Sequence, residues 1–330
     1  MTGFLLAAAF ALIIGGAILF TNAIEWSGKR LDLGEGAVGS LLAAVGTALP
    51  ESLIPVVAVL SGGESEQVAI GAIVGAPFML GTVAMLLVGA SAVAFRRRRS
   101  SGSEVTPDDR SLRRDLGLFL PCFAIGIGLG LIDSTSVHIA GAVGLLIAYG
   151  AYARQTVRTH SGESEDADEL TPLTFDPSKE DPPRTIAIVA QLVVGLLMIV
   201  GGAELFVEEV VTLAEALGIS VLVLSLVLAP LATELPEKFN SVLWMSRDKD
   251  TLAVGNITGA MAFQSTVPIA LGLAVTDWDL DRYAVAAGIA GLTGGALALW
   301  RLPKDRLGIP VVAAWSALFA GFVAFAALGP

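Results

Sequence analysis

Thr47-Ala48-Leu49-Pro50-Glu51 sits in the middle of one apolar stretch, and Thr233-Glu234-Leu235-Pro236-Glu237 repeats its Thr-x-Leu-Pro-Glu pattern in the middle of another. A proline inside a helix removes one backbone donor and frees a carbonyl a turn earlier. A carboxylate in the same apolar surroundings costs on the order of 3 kcal/mol on insertion scales and is rarely idle. A single copy reads equally well as a kinked helix with a snorkelling Glu. Two symmetric copies do not. Gly15-Gly16-Ala17-Ile18-Leu19-Phe20 recurs as Gly201-Gly202-Ala203-Glu204-Leu205-Phe206, at the same offset as the Pro motifs. Gly71-Ala72-Ile73-Val74-Gly75-Ala76 recurs as Gly255-Asn256-Ile257-Thr258-Gly259-Ala260, at nearly that offset. Three matches in one order divide the chain into two copies, 1–155 and 184–330. The stretch between them, 156–183, is rich in Glu, Asp, Ser, Thr and Pro and reads as a disordered acidic linker on the cytoplasmic side.

A membrane span needs roughly 20 consecutive apolar residues. Ten segments qualify: 3–23, 37–60, 67–95, 115–132, 136–153, 185–207, 217–243, 251–275, 282–300 and 308–328. The expected fold is therefore all-α and integral to a membrane, with ten transmembrane helices. Each copy holds five spans, an odd number, so the second must enter the bilayer from the opposite side. Inverted repeats of this kind place a substrate site near the midplane in secondary transporters. The loops after the odd-numbered spans carry eighteen Lys or Arg, and those after the even-numbered spans carry only Arg282. By the positive-inside rule the basic loops are cytoplasmic, and both termini of this multi-pass cell-membrane protein lie outside.

The composition agrees. Of 330 residues, 54% are hydrophobic and 15% charged, with a mean hydropathy of +0.75, which argues against a water-soluble enzyme. A net charge of −11 disfavours nucleic-acid binding. Cys122 alone excludes a disulfide framework within the chain, and two His disfavour a zinc site. No phosphate-cradling glycine loop is present, so no nucleotide is expected. The expected partners are the lipid bilayer and inorganic cations. No cofactor is expected, since a cation would be the substrate.

At the two Pro-broken motifs the sequence resembles the sodium/calcium exchanger (cation/Ca²⁺ antiporter) superfamily. Its members carry G-T-S-L-P-E signatures, each followed by a polar G-N-x-x-G-S-N segment. Gly46-Thr47-Ala48-Leu49-Pro50-Glu51 keeps five of the six signature positions, and the second copy keeps Thr233, Leu235, Pro236 and Glu237. The resemblance implies that Glu51 and Glu237 are the central metal ligands, assisted by Thr47 and Thr233. Polar groups of spans 3 and 8 would complete the site. Thr carbonyls and hydroxyls with carboxylates are the oxygen donors that Na⁺ and Ca²⁺ prefer.

This chain departs from that pattern mainly in its first half. The signature Ser is Ala48 in one copy and Glu234 in the other. The span 3 segment from Gly71 to Leu80 holds no side-chain oxygen, with Ala76 and Leu80 at the ligand positions. Span 8 keeps Asn256 and has Ala260 and Gln264. The candidate cation-binding set is therefore Thr47, Glu51, Thr233, Glu234, Glu237, Asn256 and Gln264. Lys238, four residues after Glu234, either pairs with it on one helix face as a balancing charge or snorkels toward the cytoplasm. Glu204, Glu208 and Glu209 line an entry vestibule or merely end a solvated helix. Arg96 to Arg99 reads as a topology determinant.

Three functions remain open from sequence. One is an antiporter exchanging Ca²⁺ or another cation for Na⁺ or H⁺ by alternating access. Another is a proton-coupled or monovalent-cation carrier without a calcium site. The third is a non-transporting membrane protein on an exchanger scaffold.

Overall fold

In the computed structural model, residues 1–30, 43–160, 171–176, 183–302 and 308–328 are described. At 28, 43–50, 157, 159–160 and 235–237 the description extends to the helix backbone but not to the side chain. Every regular element among them is helical. In chain order these are α1 (Thr2–Arg30), α2 (Ala43–Ser61), α3 (Ser65–Met79), a π-helical turn (Leu80–Ala84), α4 (Met85–Ala94), α5 (Asp109–Leu129) and α6 (Thr135–His160). The second half adds α7 (Thr185–Leu217), α8 (Val221–Thr233), α9 (Leu235–Met245), α10 (Asp250–Gln264), α11 (Val267–Val275), α12 (Arg282–Arg301) and α13 (Ile309–Leu328). Seven helical runs among the described residues are long and apolar enough to cross a membrane. The other three expected segments fall on α2, on α5 and on the broken pair α8–α9. Residues 37–42 of the second expected span lie outside the described residues.

Two units emerge, each drawing on both halves of the sequence. The first comprises Met1–Ser65 and Gly150–Leu217. Here α1 and α7 run antiparallel at glycine contacts. A Cβ on Gly16 would lie 2.8 Å from the carbonyl oxygen of Gly195, and one on Gly202 would lie 2.9 Å from the Ile13 side chain. Small residues permit this backbone approach where no hydrophobic gradient drives helices together. Part of the segment read above as a disordered linker is anchored here. Asn22 Nδ2 and Trp26 Nε1 donate to the Thr171 carbonyl. Gln191 accepts from Phe175 N–H and donates to Leu19 O, and Leu173 is buried beside Trp26 and Ile188. Apolar Leu173 within a polar run gave no periodic signal, so the sequence could not reveal the anchor. Residues 161–170 and 177–182 of that segment lie outside the described residues.

The second unit comprises Glu66–Tyr149 and Gly218–Pro330. Its core is span 3, that is α3, the π turn and α4, with an apolar window 83% buried. Gly71 and Gly75 meet α8 so closely that a Cβ would lie 2.5 Å from Ser225 Cβ or from Leu226 O. Gly81 in the π turn abuts Gly291 and Gly294 of α12, and Phe78 stacks on Phe319 and meets Phe322 at a tilt, both on α13. Span 8, formed by α10 and α11, packs in a matching way on the first half. Thr258 Oγ1 donates to Asp115 of α5 at 2.8 Å, Ile269 of α11 covers Gly126 of α5, and Phe263 meets Tyr149 of α6 edge-on. Span 3 thus packs on spans 9 and 10, and span 8 on spans 4 and 5.

Both helices are also interrupted at equivalent positions. The π turn begins at Leu80, and the break between α10 and α11 follows Gln264, the counterpart of Leu80 in the second copy. Thr82 Oγ1 donates to Phe78 O at 2.7 Å, and its counterpart Thr266 donates to Ala262 O at 2.9 Å. Hydroxyls that return to the carbonyl one turn back bend helices, and π turns gather at functional sites. The Pro motifs are less alike. Span 7 breaks at Glu234 between α8 and α9, whereas α2 continues through Pro50 as one helix. The expected break in span 2 is therefore absent. The second copy differs in carrying a further proline, Pro230, ahead of Pro236.

Candidate cation site

The site is best defined where the two broken helices of the second half meet. Glu234 caps α8 and leads into α9, its N–H donating to Pro230 O at 2.8 Å. One turn on, Lys238 Nζ lies 3.1 Å from Glu234 Oε2, with the two side chains 2% and 4% exposed. Gln264, the last residue of α10, donates from Nε2 to Glu234 Oε1 at 3.1 Å. Carboxylate, ammonium and amide form one buried group on two elements. Lys238 does not snorkel; of the two sequence readings, the ion pair is the one observed. One turn further, Asn256 Nδ2 donates to Ser241 Oγ at 3.1 Å, so a polar ladder runs between α9 and α10. Ser265 and Thr266, at the break, are fully buried.

Other predicted site residues are placed less completely. Glu51 is half-buried on α2, and the side chains of Thr47 and Glu237 lie outside the described residues. Thr233 Oγ1 reaches Ala229 O at 3.4 Å. In span 3 the equivalent ligand positions are closed and apolar, with Ala76 4% and Leu80 0% exposed. The nearby Thr82 hydroxyl already donates to a backbone carbonyl. Among the described residues no cluster of three or more His, Cys, Asp or Glu could hold a metal ion. Glu204 and Glu208 are exposed and, with Glu215, Ser61, Ser65 and Thr212, line a cavity of about 480 Å³ in the first unit. Glu209 does not line it and is 8% exposed.

Sequence reasoning missed Arg99. Its neighbours Arg96, Arg97 and Arg98 are more open to solvent, but the Arg99 side chain is fully buried and pairs with Asp250 Oδ2 at 2.8 Å. It also donates to Met245 O and Glu104 O. The loop after span 3 is thereby clamped to the hairpin between α9 and α10, next to the polar ladder. Asp248 takes Ser100 N–H at 2.9 Å. That amide, then the Ser101 hydroxyl, holds the exposed Asp248 carboxyl below its ordinary range. Four consecutive arginines give no clue to which one turns inward.

The sodium/calcium exchanger protein family matches residues 2–155 and 187–328, through both halves. The chain belongs to that family. The chain is 25% identical to the putative antiporter CaxA of Alkalimonas amylolytica over 299 residues, covering 90% of this chain and 88% of that protein. Its fold is similar to that of the H⁺/Ca²⁺ exchanger CAX, with a TM-score of 0.73, 18% identity, and coverage of 100% of this chain and 82% of that one. It is also similar to the sodium-calcium exchanger NCX_Mj, with a TM-score of 0.58, 22% identity, and coverage of 98% and 99%. The family is one of transporters, not enzymes, and inorganic cations are its cargo.

Proposed function

We propose that the exchanger is a secondary cation antiporter of the cell membrane, working by alternating access at a midplane site. Its ten transmembrane helices form two inverted five-helix repeats, with both termini extracytoplasmic. Glu51 and Glu237 are the central ligands of the transported cation, helped by Thr47 and Thr233 and by Asn256 on span 8. The observation that carries this reading is the family match through both halves, with an unsubstituted Glu closing each signature. No resident cofactor is needed, because the ion gradient supplies the driving force. Uptake of ⁴⁵Ca²⁺ and ²²Na⁺ into proteoliposomes, with Na⁺ or pH gradients imposed separately, tests it. Failure of every gradient to drive either ion would overturn the antiporter reading.

Within that function, proton coupling is favoured over a full set of Na⁺ sites. Calcium wants six to eight oxygens, and span 3 offers none at Ala76 or Leu80. A carboxylate in such a site carries a proton in place of a metal ion. Uptake should then persist in sodium-free vesicles under a pH gradient. If it is absent there and restored only by Na⁺, sodium coupling is the better account.

A further inference from the structure

We infer that the Lys238 ammonium is a resident cation of the second-half site, a tethered ion that keeps a mobile monovalent cation out of it. This rests on the antiporter reading above and specifies what one part of its site can bind. Glu234 stands between Thr233 and Pro236, where the first copy has Ala48. It faces the end of α10 through Gln264, where span 3 has Leu80. Charge and amide therefore occur together, at two positions equivalent to apolar ones, and at the two helix breaks of the second half.

The local chemistry is that of an ion cage. A carboxylate oxygen lies 3.1 Å from the ammonium, and the other carboxylate oxygen is fixed by the Gln264 amide at 3.1 Å. Ser265 and Thr266, both fully buried, stand at the break that follows Gln264. An alkali cation and an alkylammonium ask for the same surroundings, an anionic oxygen and neutral oxygens in a site closed to bulk water. The difference is that the ammonium is bonded to the chain and cannot leave. A carboxylate only 4% exposed stays ionised only beside a counter-charge, and Lys238 supplies one that is bonded to the chain. The second-half cage then contributes no exchangeable monovalent cation to the cycle, and the cargo is left to Glu51 and Glu237.

Removing the tether should open the cage to a free ion. Lys238→Met keeps most of the length of the side chain and removes the charge, so Glu234 must recruit Na⁺ from the medium. The measurement is the thermal midpoint of the purified full-length protein in NaCl against N-methylglucamine chloride at equal ionic strength. Lys238→Met should show a saturable Na⁺-dependent rise of several degrees beyond any shift of the wild type. The Lys238→Met/Glu234→Gln double variant should return to the wild-type response. An unchanged Na⁺ response in Lys238→Met, or an extra response that survives in the double variant, would overturn the inference. Should Lys238→Met fail to fold in either salt, Lys238→Ala provides the second test. Methylammonium should restore its folding where the larger tetramethylammonium does not, and no recovery counts against the tethered cation. These readouts need no flux, so a wild type that transports nothing would sink the antiporter reading while leaving this one decided on its own data.

Discussion

Spans 3 and 8 are the same stretch of the repeat in its two copies, and they are alike in backbone and unlike in side chains. Each packs on the fourth and fifth spans of the other half, and each is interrupted at the same place, with a Thr hydroxyl bonded to the carbonyl one turn back. Along span 3 the groups at the ligand positions are Ala76 and Leu80, sealed in the core. Along span 8 they include Asn256 and Gln264, tied to Ser241 and Glu234. The repeat has kept its architecture and concentrated its polar groups in one copy. The interruption thus belongs to the fold, while the chemistry can be redistributed.

If both signature carboxylates still hold cargo, the two copies should be equally vulnerable despite that imbalance. Glu51→Gln and Glu237→Gln should each reduce cation flux in proteoliposomes to the protein-free background, with the protein still inserted. A variant of either residue that transports at the wild-type rate would remove that residue from the site. Unequal loss would mean that one copy carries the ion alone.

The loops that follow spans 3 and 8 extend the comparison. After span 3 the chain is held by the buried Arg99–Asp250 pair. After span 8 it is held by Trp278, fully buried, whose Nε1 donates to Gly126 O at 2.9 Å. Trp278→Ala should lower stability by about 3–5 kcal/mol, the usual range for deleting a core aromatic. Arg99→Gln should have a similar effect, since it leaves Asp250 buried without its charge partner. Arg97→Gln, on an exposed side chain, should stay within about 0.5 kcal/mol. Denaturant titration of the three variants checks this, and equal effects at 97 and 99 would deny the clamp.

The sequence disclosed the all-helical, membrane-embedded character of this fold, because apolar length is a property of single segments. Glu234 and Lys238 were readable as a pair because they stand one helical turn apart. Gln264 was readable as a candidate for the same site but not as their direct partner, since it reaches Glu234 from another helix far along the chain. Arg99 was hidden for the opposite reason, lying among identical neighbours whose environments differ only in three dimensions. The continuity of α2 through Pro50 was also unreadable, because one proline bends or breaks a helix according to what packs around it.

Equivalent glycines give a gentler test of the same asymmetry. Gly71 is pressed against α8, where an added Cβ would stand 2.5 Å from Ser225 Cβ. Its counterpart Gly255 meets no described atom within 4 Å. Gly71→Ala should therefore cost about 1–3 kcal/mol through overpacking. Gly255→Ala should be neutral or slightly stabilising, as Ala is the better helix former. Thermal midpoints of the two single variants would show it, and equal shifts would mean the two glycine faces are packed alike.

The smallest expected effect lies at the starts of α5 and α12, equivalent helices capped by Asp108 and Asp281. Asp108 accepts from Ser111 N–H at 2.9 Å, and Asp281 accepts from the N–H groups of Tyr283 and Ala284. The Ser111 hydroxyl, then the Ser111 amide, holds the Asp108 carboxyl below its ordinary value of 3.8. A carboxyl lowered by folding stabilises the fold above its unfolded pKa, and that contribution fades as pH falls through the lower, folded value. Between pH 7 and 5, then, Asp108→Ala should be less stable than the wild type by a constant amount, about 1 kcal/mol for a lost cap. Below roughly pH 4 the gap should narrow, since a protonated Asp108 accepts more weakly. Paired denaturation curves at pH 7, 5 and 3.5 read this directly. A gap that narrows already between pH 7 and 5 would point to a group titrating higher than Asp108, and would remove this cap as the cause.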